Sequence, residues 1–110
     1  MSELLGTFEQ IVLLAVLGLN ADAYGRAVLG EVQSAVSERT ISAGAVYSTL
    51  DRLETKGLLS STLEQGTPIR GGRVRRFYQL TSSGASALSD TRLALEKIWM
   101  GKRWPLQESQ

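Results

Sequence analysis

Four arginines, Arg70, Arg73, Arg75 and Arg76, fall in a seven-residue stretch that contains no acid. A guanidinium is permanently charged and donates in a planar fork, so a run of them suits phosphate oxygens. Gly71-Gly72 lies inside the run and gives it a tip able to settle against a groove. A second set stands upstream: Ser42, Gly44, Tyr47, Ser48 and Arg52. Ser48, Tyr47 and Arg52 can reach phosphates or base edges, Arg52 can fork onto a guanine, and Gly44 lets a backbone approach closely. This chemistry is recognition, with no bond made or broken. The chain has no Cys and no His, which removes zinc fingers, thiolate sensors, Cys nucleophiles and imidazole bases. It also lacks a phosphate-cradling G-x-x-x-x-G-K-[ST] loop and a convergent acid pair. No enzyme activity, metal or cofactor is expected.

Each set also has a plainer reading. The upstream residues could form the solvated face of an ordinary helix. The arginines could guard an exposed hairpin edge against aggregation. Edge protection usually mixes signs, whereas this run is wholly positive. Bulk charge does not decide the matter, because twelve Lys and Arg face eleven Asp and Glu.

The elements needed to position these groups are legible. Ser42 is an N-cap residue type, and Val46, Leu50 and Leu53 then recur at i, i+4, i+7 on one helix face. Gly44, Ser48, Asp51 and Thr55 fall opposite, flanked by Tyr47 and Arg52. Gly57 stops this helix as a C′ glycine. Strands are expected over Leu58–Leu63 and Val74–Leu80. On the second strand, period two places Arg73, Arg75, Phe77 and Gln79 on one face and Val74, Tyr78 and Leu80 on the core face. Arg76 shares the core-side parity and is expected to snorkel at its edge. A helix followed by a hairpin with a basic tip is the layout of a winged helix-turn-helix.

Thr7-Phe8-Glu9-Gln10 has the form of a capping box opening a first helix to Leu19. That helix is apolar around so much of its circumference that it needs cover on more than one side. Asn20 or Asp22 is expected to cap a second helix, about Ala23 to Val36. Thr81 is expected to cap a fourth, from Ser82 to near Arg103, with Pro105 beyond it. Leu88, Thr91, Leu95 and Ile98 follow heptad-like spacing there, with Trp99 beside them. So long a helix in so short a chain has little core to cover its apolar face, which argues for a dimer seam on Leu88, Leu95, Ile98 and Trp99. Trp99 suits two uses: packing in that seam, or an aromatic wall for a planar ligand between subunits. Tyr24 and Phe8 are expected in the core.

At 110 residues one domain is expected over 1–110: a winged helix over about 5–81, a dimerisation helix over about 82–103 and a tail over 104–110. The fold class is mainly α with a small β-hairpin. No signal peptide is expected, since Glu3 precedes the apolar run, and Ile11–Leu17 is far short of the ~20 residues of a membrane span. The expected location is cytoplasmic.

Ala45 to Leu59, AVYSTLDRLETKGLL, resembles the VYxxLxRLExxGL signature of PadR-type transcriptional regulators. Gly71 to Gly84, GGRVRRFYQLTSSG, is similar to that family's wing and YxLTxxG segment, and Asp22-Ala23-Tyr24-Gly25 to its second-helix entry. The similarity runs from about Leu5 to Leu88, and the length resembles the short subfamily with a single C-terminal helix. The resemblance implies a prokaryotic homodimeric repressor on an inverted-repeat operator, of a kind often released by small, frequently aromatic effectors. It places operator contacts on Ser42, Gly44, Tyr47, Ser48 and Arg52, with Arg70, Arg73 and Arg75 in the wing. The partners would be double-stranded DNA, a second copy of the chain and, where one exists, an effector. The alternative is a winged helix used only for protein interaction, its wing arginines meeting an acidic partner.

Overall fold

A computed structural model describes residues 4–65 and 74–102. The order is α1 (Thr7–Leu19), a 3₁₀ turn (Asn20–Asp22), α2 (Gly25–Ala35), α3 (Ala43–Thr55), β1 (Leu59–Gln65), β2 (Val74–Leu80) and α4 (Ser82–Trp99). The strands form a two-stranded antiparallel sheet, with Leu59 opposite Leu80 and Gln65 opposite Val74. The fold is therefore mainly helical with one hairpin, as the sequence predicts.

The core lies where α1, α2, α3 and the base of the hairpin meet. Val12, Leu13 and Val16 of α1, Val28 and Val32 of α2, and Val46, Leu50 and Leu53 of α3 are all buried. Burial of each such side chain contributes about 1.5–3 kcal/mol, and together they fix α3 against α1 and α2. Its polar side is left outward. Ser42 caps α3, accepting from the Ala45 N–H at 3.1 Å. At the other end Gly57 takes φ 80°. The Leu58 N–H reaches Leu53 O and the Gly57 N–H reaches Glu54 O, both at 2.9 Å, a Schellman stop. The Thr81 hydroxyl then joins two elements. It donates to Gly57 O at 2.7 Å and accepts from the Gly84 N–H at 3.0 Å, capping α4 against the end of α3.

Several boundaries differ from expectation. The residue capping α1 is Gly6, not Thr7; Glu9 is then N3 and accepts from the Gly6 N–H at 3.1 Å. Neither Asn20 nor Asp22 caps α2. Asn20 ends α1 at φ 53°, and α2 starts after Tyr24 without a side-chain cap. The reason is tertiary. Ala23 O accepts from the Tyr78 N–H at 2.8 Å and Tyr24 bridges to Phe77, so this stretch is held extended against β2. Strand β1 begins at Leu59, not Leu58, whose N–H is spent on the α3 stop. Helix α4 ends at Trp99, with Gly101 at φ 79°, short of the expected Arg103. Arg103 and the tail 104–110 lie outside the described residues.

Candidate nucleic-acid interface

The exposed face of α3 carries Gly44, Ser48, Asp51 and Thr55, as the helical spacing predicts. The space in front of Gly44 is open. Ser48 Oγ donates to Ala45 O at 3.3 Å, a local bond that a stronger acceptor can replace. Ser42, while capping the helix, is itself exposed at its entry.

Tyr47 is 43% exposed and lies over the start of α2. A Cβ on Gly25 would sit 2.5 Å from Tyr47 Cε1, so glycine at the first residue of α2 is what admits the ring. Tyr24, Gly25, Arg26, Tyr47, Arg75 and Arg76 surround an open cleft of about 390 Å³. Amide groups at a helix N-terminus, guanidinium groups and a phenol are the donors with which proteins hold a nucleic-acid phosphate. Tyr78 forms the inner wall of this cleft. Burial first, and the Asp51 carboxylate second, raise its phenol above the ordinary value near 10.

Strand β2 is gripped on both faces. On one, the Arg75 guanidinium stacks 4.5 Å from the Tyr24 ring centre, and Phe77 meets that ring edge-on at 5.6 Å. This face, placed by period two opposite the core face, is half covered by the entry of α2, and Arg75 is held in a stacked position. Tyr24, expected in the core, is accordingly only half-buried. On the other face, Arg76 Nη1 donates to Ser61 Oγ at 2.8 Å and Ser61 donates to Glu54 Oε2 of α3 at 2.6 Å. The hairpin is thus tied to α3 through β1. Val74, expected on the core face, is 55% exposed, because the helices cover only the base of the hairpin. Arg70, Arg73 and the Gly71-Gly72 tip lie outside the described residues.

Arg52 is drawn toward α1. Its Nε lies 3.5 Å from Glu9 Oε2, and Nη2 donates to Thr49 Oγ1 at 3.4 Å. Lys56 Nζ binds the same Glu9 oxygen at 2.9 Å. The Lys56 bond, with support from the Gly6 N–H and Arg52, lowers the Glu9 pKa against a modest burial penalty.

Two residues that organise this surface had not been singled out for it. Gln33, on α2, supplies the turn leading to α3. Its Nε2 donates to Val36 O at 3.1 Å and Arg39 O at 2.9 Å, and its Oε1 accepts from the Ile41 N–H at 2.7 Å. Glu54 fixes the wing as described. A polar residue on the flank of an amphipathic helix was the only signal for either.

Away from this cleft, α1 and α4 leave apolar surface outside. Leu14 and Leu17 are 53% and 51% exposed. Leu95, Ile98 and Trp99 are 46%, 68% and 50% exposed, and Leu88 is half-buried. An open groove of about 410 Å³ runs between the two helices, lined by Leu14, Leu17, Leu88 and Leu95 among others.

A turn-linked helix pair with a polar face outward, followed by a β-hairpin carrying arginines, defines a winged helix-turn-helix fold. The sequence matches place it further: residues 13–90 match the model of the Transcriptional regulator PadR-like family, and the chain belongs to that family. It is 47% identical over 58 residues to "Transcriptional regulator Rv3488" of Mycobacterium tuberculosis, a match covering 53% of this chain and 50% of that relative. The chain thus matches about half the length of that protein. Among solved structures, a PadR-like transcription factor from Bacteroides fragilis superposes with a TM-score of 0.67 at 26% identity, covering 84% of each chain. A PadR family regulator from Eggerthella lenta gives 0.63 at 28% identity, covering 84% of this chain and 77% of the other. Among the described residues no helix is long and apolar enough to cross a membrane.

Proposed function

We propose that the chain acts as a homodimeric repressor on an inverted-repeat operator. Helix α3 reads base edges through Tyr47, Ser48 and Arg52, with Ser42 and Gly44 at its entry. Arg75 holds backbone phosphate, joined by Arg70 and Arg73 of the wing. The observation carrying this reading is the polar face of α3 and the aromatic-basic cleft beside it, both open, together with a separate exposed apolar surface on α1 and α4. A second copy would cover that apolar side, α4 packing into the α1–α4 groove with Leu88, Leu95, Ile98 and Trp99 in the seam. Such a two-fold arrangement requires half-sites one helical turn or a multiple apart, about 10–10.5 bp centre to centre.

Footprinting on the gene's own promoter, with sedimentation of the free protein, tests the reading. The expected result is a dimer protecting an inverted repeat. One isolated half-site protected by a monomer would overturn it. Trp99 near the seam supports effector control by a planar aromatic molecule entering between subunits. In a Trp104→Phe background, such a ligand should quench Trp99 fluorescence and release DNA together. Release unchanged in Trp99→Ala would reduce Trp99 to a packing residue.

A further inference from the structure

Among the described residues, two polar side chains are buried: Thr49 of α3 and Thr91 of α4. They stand at the two ends of one polar path. Thr91 Oγ1 accepts from the Leu5 N–H at 3.1 Å, the contact farthest apart in sequence among the side-chain bonds described. Leu5 is followed by Gly6, whose N–H is held by Glu9 Oε1 at 3.1 Å. The other Glu9 oxygen holds Lys56 at 2.9 Å and Arg52 at 3.5 Å. Arg52 reaches Thr49. Gln10 braces the same corner, its amide donating to Leu5 O at 3.1 Å.

We propose that this path couples the seam helix α4 to the DNA-facing helix α3, with Glu9 as the positioning residue for Arg52 and Lys56. Thr91 lies in the Leu88–Leu95 stripe, so any repacking of α4 against a second subunit or a ligand moves the acceptor that holds Leu5. Leu5 and Gly6 precede Glu9 directly, and the shift changes where that carboxylate sits. Glu9 carries one negative charge for two cations. In place, it fixes Arg52 in one direction and withholds part of the pair's charge from phosphate. Displaced, it leaves Arg52 to any DNA backbone, which raises indiscriminate binding and removes the orientation that a base contact needs. The inference rests on the proposed placement of α3 against DNA.

The test uses the intact protein with two duplexes, the gene's own promoter and a shuffled sequence of equal length. Glu9→Gln keeps the side chain's size and removes its charge. The salt slope on the shuffled duplex should steepen by about 0.9 as Arg52 newly meets a phosphate. The preference for promoter over shuffled DNA should fall roughly tenfold, the size of one oriented base contact. Thr91→Val should change both quantities in the same direction, Thr91→Ser should restore them, and Glu9→Gln with Thr91→Val should go no further than Glu9→Gln alone. A Glu9→Gln protein that melts lower but keeps the parent slope and preference would overturn the inference, leaving Glu9 a folding strut. Full additivity of the two changes would overturn the path. A parent protein with no promoter preference counts against the proposed operator reading alone, because the slope on shuffled DNA still reports on Glu9.

Discussion

Gln33 offers the sharpest test of how the recognition helix is aimed. Its amide makes three bonds to the turn between α2 and α3, at 3.1, 2.9 and 2.7 Å. In Gln33→Ala all three are lost. A net hydrogen bond is worth about 0.5–1.5 kcal/mol, and an unsatisfied buried donor costs about 1–3. The Arg39 carbonyl bond is exposed, so water replaces it nearly without loss. The Val36 carbonyl and Ile41 amide bonds are part-buried. The expected loss is therefore about 2 kcal/mol, or roughly 8–16 °C in Tm for a domain of this size. Gln33→Glu separates the contributions. It keeps the acceptor for Ile41 but turns negative oxygen toward two carbonyls, and should be at least as damaging as alanine at neutral pH. Thermal unfolding by circular dichroism gives stability; promoter and shuffled duplexes give discrimination. Below Tm the alanine variant should lose promoter affinity beyond any loss on shuffled DNA, because the turn no longer sets the angle of α3. A change under about 0.5 kcal/mol, or a lower Tm with discrimination intact, would refute this account of the turn.

Other outcomes follow from the same geometry. Gly25→Ala should displace the Tyr47 ring and weaken promoter binding, yet have little further effect in a Tyr47→Ala background, as binding titrations would reveal. Arg75→Ala should lower the salt-slope magnitude by about 0.9 and cost about 0.5–2 kcal/mol of stability from the lost stack on Tyr24; a slope equal to the parent's would remove Arg75 from the phosphate contacts. Leu95→Asp should give monomer or unfolded protein by sedimentation, since a buried unpaired charge in the seam is strongly unfavourable. The Glu9 pKa is lowered in the folded state from its ordinary value near 4.5, so Glu9 binds fewer protons folded than unfolded. Its stabilising contribution is present above that value and is lost as pH falls through the lowered pKa. Parent and Glu9→Gln melting curves should therefore converge on acidification and stay apart at neutral pH.

The helices and the hairpin were legible because their periodicities are strong and their stop signals are local. Ser42 and Thr81 cap as their types predict, and Gly57 stops α3 through bonds made within five residues. What could not be read was decided by contacts distant in sequence. Asp22 is a good cap type, yet β2, more than fifty residues later, holds Ala23 and Tyr24 extended and moves the start of α2. Arg75 and Arg76 looked equivalent as charges. In the fold one stacks on Tyr24 and the other is tied to Ser61. Period two assigned them to opposite faces but could not say what stood there. Arg52 had the right helical position for DNA, and nothing local pointed to Glu9, forty-three residues earlier, as its ion-pair partner.

These distant contacts share a pattern. Three of the side chains proposed for DNA contact are held by a group from another element: Tyr47 by the bare backbone of Gly25, Arg75 by Tyr24, Arg52 by Glu9. A long cation left loose would lose rotamer freedom on meeting phosphate, and that loss weakens binding. Anchoring the charge beforehand moves the loss into folding. It would also make the proposed DNA surface answer to the packing behind it, because the anchors stand on the entry of α2 and on α1, not on α3 itself. Helix α1 faces α3 with Glu9 and the open groove with Leu14 and Leu17. A second subunit seated in that groove would press on the same helix that holds Arg52, so dimer geometry and DNA geometry would be set by one element.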